Sequence, residues 1–136
     1  MTPFNADGTI DFNGLTKLVE LQISGGTDFL VVQGTTGESP VLSQEEKMQV
    51  LQHVIEINQR QLPVVYGLGG NNTKEVCEKI KHLPNGVDGL LSVSPYYNKP
   101  LQAGIIAHYK EIARCTQLPI ILYNVPGRTS SNVSAA

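Results

Sequence analysis

The stretch Phe29-Leu30-Val31-Val32-Gln33-Gly34-Thr35-Thr36-Gly37-Glu38-Ser39 decides the fold. Asp28 leads into four consecutive apolar residues, Phe29 to Val32, a run too short for a helix and rich in β-branched side chains, as expected of a parallel strand buried on both faces. The run stops at Gln33 and Gly34, and Thr35 and Thr36 then stand between glycines that permit a tight turn and a close approach of backbone to ligand. Ligands in α/β folds bind beyond the carboxyl ends of the strands, so two hydroxyls at this place form a site candidate. The same threonines would equally serve to cap turns.

Working outward, the pattern repeats. Upstream, Thr2-Pro3-Phe4 reads as the stub of a strand, closed by the turn Asn5-Ala6-Asp7-Gly8. Asp11 opens a helix with Phe12, Leu15, Leu18, Val19 and Ile23 on one face, and Gly25-Gly26 end it. Downstream, Ser43 and Glu46 form a capping box before a helix striped by Met48, Leu51, Val54 and Ile55. Strands follow at Pro63–Tyr66, in the apolar part of Gly86–Pro100, and at Pro119–Tyr123. Between them lie a helix capped by Asn72 or Thr73, with Glu75 completing a box, and a helix from Gln102 to Cys115 striped by Ile105, Ile106, Tyr109, Ile112 and Ala113.

Strands recurring at about thirty-residue intervals, each followed by a helix, are the βα repeat of parallel α/β folds. A doubly wound sheet gathers its ligand groups at one switch point, whereas here nearly every strand ends in a polar or glycine-rich cluster, as the mouth of a (β/α)8 barrel requires. A barrel needs about 250 residues. The expectation is therefore a partial TIM-barrel domain over residues 1–136, from the stub of strand 1 through strand 5, roughly the first half of a barrel.

Composition narrows the function classes. A net charge of -2 and a pI near 5.9, with scattered Lys and Arg, leave no basic stripe for nucleic acid. No apolar run approaches the roughly 20 residues of a membrane span, and Met1-Thr2-Pro3-Phe4-Asn5 has neither the basic region nor the apolar core of a signal peptide. The reading is a cytoplasmic protein. Cys77 and Cys115 lack metal-ligand spacing and fall in helical segments, so two buried, reduced thiols are expected. Gly67-Leu68-Gly69 after a strand suggests a dinucleotide loop, but Asn72 replaces the third glycine and Asp88 stands at the start of the next strand, the wrong end for a ribose ligand.

Taken together, Gly34-Thr35-Thr36-Gly37-Glu38, Pro95-Tyr96-Tyr97-Asn98 and Tyr123-Asn124-Val125-Pro126-Gly127-Arg128-Thr129, in this order and on successive strand ends, resemble the dihydrodipicolinate synthase family. The resemblance covers essentially the whole chain. It implies a pyruvate-dependent lyase of the class I aldolase type, in which a lysine amine forms a Schiff base with pyruvate and the enamine attacks L-aspartate 4-semialdehyde, the entry to lysine (diaminopimelate) biosynthesis. It implies no metal or organic cofactor, and a homo-oligomer, dimer or tetramer. Thr35, Tyr97 and Tyr123 would form the proton relay, with Tyr97 entering the neighbouring subunit; Thr36 would bind the pyruvate carboxylate and Arg128 the semialdehyde carboxylate. Asn71, Glu75 and Tyr96 match the residues of the lysine-effector cleft in inhibited relatives, although Lys47 stands where those present histidine or another aromatic ring.

One departure matters. The family's Schiff-base lysine lies on the sixth strand, and none of Lys17, Lys47, Lys74, Lys79, Lys81, Lys99 and Lys110 falls on a strand. Such a lysine must be held partly desolvated beside the substrate to be an amine near neutral pH. Lys99, in a loop beside Pro100, does not meet that requirement. The expectation is a chain with the relay but not the nucleophile, inactive alone. The rival readings are an N-acetylneuraminate lyase-type or other pyruvate-dependent aldolase and, outside enzymes, a flavodoxin-like binding module; the latter lacks paired acids at the end of its first strand.

Overall fold

Asp11 starts the first helix through its own carboxylate, whose Oδ1 accepts the Gly14 N–H at 2.9 Å. A computed structural model describes residues 1–135, which divide into two compact units. The first holds Met1–Tyr66 with Pro84–Asp88, and the second holds Gly67–Leu83 with the chain from Gly89 onward.

In the first unit, α1 (Phe12–Ser24) ends at Gly25, and Gly26 turns the chain with φ +74. β1 (Leu30–Val32) follows, then two 3-10 turns, Thr35–Gly37 and Ser39–Val41, then α2 (Gln44–Asn58) and β2 (Val64–Gly67). The predicted capping box is present: Glu46 N–H donates to Ser43 Oγ at 3.1 Å, and Ser43 N–H donates to Glu46 Oε2 at 2.7 Å. At the other end of α2, the buried Asn58 donates to the Leu62 carbonyl at 2.7 Å and accepts from the Leu62 N–H at 3.1 Å. That exchange sustains the left-handed pair Gln59 (φ 46) and Arg60 (φ 60), which glycine would otherwise favour.

β1 pairs with β2 in parallel, Leu30 opposite Val64 and Val32 opposite Tyr66. The core of this unit is Leu15 and Val19 of α1, Leu30 and Val32 of β1, Val50, Leu51 and Val54 of α2, and Val64 to Tyr66. Burial on both faces, expected for the strand at Phe29–Val32, does not hold. Leu30 and Val32 are buried, but Phe29 and Val31 are each 45% exposed, because successive side chains of a strand point to opposite faces and only one face meets the helices of this unit. Asp88 is also explained: its Oδ2 accepts the Val64 N–H at 2.8 Å, so the carboxylate holds the start of β2.

In the second unit, α3 (Thr73–Lys81), β3 (Gly89–Val93), α4 (Gln102–Arg114), β4 (Ile120–Tyr123) and the short α5 (Pro126–Thr129) follow in order. β3 and β4 are parallel, with Leu90 opposite Ile120 and Val93 opposite Tyr123. Val76, Cys77 and Ile80 are buried as their spacing predicts. Two expectations need correction. Glu75 does not complete a capping box: Asn72 Oδ1 accepts the Glu75 N–H at 3.4 Å, while the Glu75 carboxylate turns to Lys79. The buried stripe of α4 is Ile105, His108 and Ile112, not one through Ile106, which is half exposed. His108 is buried with one ring nitrogen satisfied, Nδ1 by Thr73 Oγ1 at 2.8 Å, while its Nε2 is buried without a partner among the described residues.

The glycine loop after β2 has a packing cause. A Cβ on Gly69 would stand 2.7 Å from Val93 Cγ1 and 2.8 Å from the Val93 backbone nitrogen, so glycine is required there for close backbone approach. Burial of the thiols is confirmed for Cys77; Cys115, at the carboxyl end of α4, is only partly covered.

Candidate active-site loops

In the first unit the candidate residues lie directly past β1. The backbone leaves the strand through Gln33, whose φ is 63, and Thr35–Gly37 close into a 3-10 turn with the Gly37 N–H donating to the Gly34 carbonyl at 2.8 Å. Glu38 (φ 55) then reverses the chain. Thr35 and Thr36 are both exposed on this turn. The turn is fastened from outside, since the buried Thr2 hydroxyl donates to the Gly37 carbonyl at 2.6 Å. Thr2, expected only as part of a strand stub, thus supports the two threonines. Gln33, 6% exposed, borders a cavity of about 300 Å³ also lined by Thr2, Val19, Phe29, Val31 and Val54.

In the second unit three loops carry the candidates. Asn71, after β2, reaches the loop after β3: its Oδ1 accepts the Tyr96 N–H at 3.0 Å. Tyr96 is partly exposed and Tyr97 is 89% exposed with φ 71. Lys99 in the same loop is exposed with φ 46. Glu75, one turn into α3, pairs with Lys79 at 2.6 Å, and that ammonium holds its carboxyl below the usual range. Asn71 and Tyr96, two of the three effector-type residues, are therefore in direct contact, while Glu75 is engaged by a cation of its own helix.

Tyr123 is the last residue of β4 and is partly buried, and its carbonyl accepts the Ser94 N–H at 3.3 Å. Arg128 is exposed on α5. Its loop is shaped by Thr129, 1% exposed, whose hydroxyl lies 3.1 Å from the Val125 carbonyl and 2.8 Å from the Ser131 carbonyl. Asn124 and Gln102 fasten the following segment: Asn124 Nδ2 donates to Asn132 Oδ1 at 2.8 Å, and Gln102 Nε2 donates to the Asn132 carbonyl at 2.6 Å. The Gln102 support leaves no local spacing to read because its bond spans thirty residues, whereas Asn124 and Thr129 bond within eight residues of themselves. Behind β3, Tyr109 donates to the Ser92 carbonyl at 2.9 Å, and burial pushes its pKa up to about 12.

Among the described residues no group of three or more His, Cys, Asp or Glu is placed to hold a metal ion, and no helix is long and apolar enough to cross a membrane. The hydroxyls, carboxamide and guanidinium named above offer proton transfer and carboxylate binding.

Comparison with known proteins gives these loops a context. Residues 1–136 match the family described as the Dihydrodipicolinate synthetase family. The chain is 52% identical over 136 residues to the 4-hydroxy-tetrahydrodipicolinate synthase of Parabacteroides distasonis, covering 99% of this chain and 46% of that one. Among solved structures, it is similar to dihydrodipicolinate synthase from Aquifex aeolicus, with a TM-score of 0.92 and 41% identity over 98% of this chain and 46% of that one. It is likewise similar to the chloride-inhibited, pyruvate-complexed dihydrodipicolinate synthase from Acinetobacter baumannii, with a TM-score of 0.94 and 47% identity over the same shares. The chain thus spans about half the length of the relatives it matches. The expected fold class holds: an α/β chain with parallel strands, matching part of a TIM barrel. A match along the whole sequence also displaces the flavodoxin-like alternative. The chain belongs to the dihydrodipicolinate synthetase family.

Proposed function

We propose that residues 1–136 supply one half of the site of a 4-hydroxy-tetrahydrodipicolinate synthase, which condenses pyruvate with L-aspartate 4-semialdehyde through a Schiff base in lysine biosynthesis. The observation that carries this reading is that three side-chain sets suited to that reaction, Thr35–Thr36, Tyr97 and Tyr123 with Arg128, all lie at or just past the carboxyl ends of parallel strands, where barrels keep their chemistry. The residues form one part of a barrel domain, from the stub of strand 1 through strand 5, in a cytoplasmic homo-oligomer, dimer or tetramer.

In this reading Tyr123 donates a proton to the carbinolamine hydroxyl as water leaves and the imine forms. Thr35 and Tyr97 relay the proton between Tyr123 and solvent, and hydroxyls suit this because a hydrogen-bonded chain moves protons without burying a net charge. Tyr97, almost fully exposed, acts in the site of a neighbouring copy. Thr36 binds the pyruvate carboxylate, and Arg128 takes the semialdehyde carboxylate by charge-assisted hydrogen bonds. The amine itself comes from outside these residues. Asn71, Glu75 and Tyr96 form the cleft for L-lysine as effector.

The test is a chimera joining this chain to the C-terminal half of the Parabacteroides distasonis synthase. It should condense the two substrates, and Tyr123→Phe and Thr35→Val should each lower kcat by about 10²-fold or more. A folded, active chimera indifferent to both substitutions would refute the relay; a folded chimera that turns over other aldehydes but not the semialdehyde would refute the substrate.

A further inference from the structure

Cys77 is on the buried face of α3, and Cys115 ends α4, the helix against which α3 packs. Their sulfurs converge on a single atom. Cys77 Sγ stands 3.9 Å and Cys115 Sγ 3.2 Å from the carbonyl oxygen of Glu111, so both thiols lie against the same atom. Charged groups border the pair: the Lys81 ammonium, itself bonded to Glu78 at 2.8 Å, and the Glu111 carboxylate, held by Arg114 at 3.0 Å. Thiols this close on adjacent helices need only side-chain rotation and small backbone adjustment to reach bonding distance. Nothing in the proposed condensation uses them.

We propose that Cys77 and Cys115 form a modification site, a dithiol that a small-molecule disulfide oxidises to an intrachain disulfide fastening α3 to α4. Cys115 is the partly exposed member and meets the oxidant first. Its thiolate attacks one sulfur of the small disulfide, forming a mixed disulfide and releasing one thiolate. Cys77 then attacks Cys115 Sγ, the protein disulfide forms, and the second small thiolate leaves. The two cysteine protons end on the two released thiols, so the cysteines are oxidised and the small disulfide is reduced. Burial, with Cys115 close by, pushes the Cys77 thiol up to about 11, so the second step speeds at higher pH. Since α3 begins at Thr73, next to Asn71 and Glu75, the bond would stiffen the helix that presents those residues.

The experiment incubates the 136-residue chain with oxidised glutathione, caps remaining thiols with N-ethylmaleimide and maps peptides by mass spectrometry without reductant. The expected result is one linked pair of peptides containing Cys77 and Cys115, two hydrogens lighter than their sum, with no maleimide on either. The Tm should rise by roughly 5–10 °C and return with dithiothreitol. Cys77→Ser should stall with glutathione on Cys115. Glutathione retained on Cys115 of the unsubstituted chain with Cys77 alkylated, bonds between chains instead of within one, or two unmodified thiols would each overturn the proposal.

Discussion

Asn71 Oδ1 accepts the backbone N–H of Tyr96 at 3.0 Å, so the loop that follows β2 holds the loop that follows β3. The held loop is one that needs support, because Tyr97 and Lys99 both sit in left-handed backbone with φ 71 and 46, a conformation that costs a non-glycine residue of order 1 kcal/mol or more. Within the loop, the only other backbone bond at Tyr96 among those described is the Asn98 N–H donated to its carbonyl at 2.9 Å.

Replacing Asn71 by alanine should therefore loosen residues 96–99 without unfolding the chain. The lost bond is worth about 1 kcal/mol, and hydrogen exchange at the Tyr96 amide should accelerate by several-fold while amides of α4 keep their protection. Unchanged exchange at Tyr96 would show that the loop does not depend on Asn71.

Gly69→Ala tests the close approach to Val93. The new methyl would stand 2.7 Å from Val93 Cγ1, 2.8 Å from its nitrogen and 3.0 Å from its oxygen. Two of those neighbours are backbone and cannot rotate away, so the strand end must shift at a cost of about 1–3 kcal/mol. Urea unfolding should show a lower midpoint with a similar slope. Gly127→Ala, where no atom lies within 4 Å of the added carbon, is the control and should change little.

Much of the chain was legible in its local chemistry. Asp11, Ser43 with Glu46, and Asn72 announce helix starts because a cap is a contact within three residues. The strand positions were legible because parallel strands read as short apolar runs. What the local pattern leaves open is which of several partners a side chain takes. Nothing near Glu75 distinguishes a box-forming carboxylate from one drawn one turn along to Lys79. The buried His108 takes Thr73, thirty-five residues away, as its partner. Exposure of Phe29 and Val31 reflects what packs on the strand, which its own residues do not record. Thr35, Tyr97, Tyr123 and Arg128 stand out by their motifs, whereas the supporting bonds of Thr2 and Gln102 reach Gly37 and Asn132, far along the chain.

The Glu75–Lys79 pair bears on effector binding. In the proposed effector cleft an incoming L-lysine amine competes with the Lys79 ammonium, which lies 2.6 Å from Glu75 Oε1. Weak inhibition or none is expected in the chimera, and Lys79→Ala, by releasing the carboxylate, should lower the L-lysine concentration for half-inhibition. Lys47→His, which restores the aromatic ring that the family resemblance associates with inhibition, should act in the same direction. Half-inhibition at submillimolar L-lysine in the unsubstituted chimera would contradict this account.

His108 should make stability pH-dependent in acid. Burial lowers its pKa from the ordinary 6.5, so below that value the unfolded chain binds a proton that the folded chain resists. Stability is then lost as the pH falls from 6.5 toward the depressed pKa, and the group contributes no slope well above 6.5. The Tm of the chain should drop as the pH falls below about 6.5, and His108→Gln should flatten that part of the profile. Parallel profiles for the two proteins would mean that His108 is protonated equally in both states.

In the proposed reading this chain supplies hydroxyls for the proton relay and the amine comes from other residues, Lys99 lying exposed in a loop. The most direct measurement is borohydride trapping of the 136-residue chain with pyruvate, read by intact mass and peptide mapping. The account predicts no covalent adduct on the chain alone, whereas the chimera should gain one reduced pyruvate adduct on a lysine contributed by the other half. A stoichiometric adduct on Lys99, or on any lysine of this chain, would contradict it.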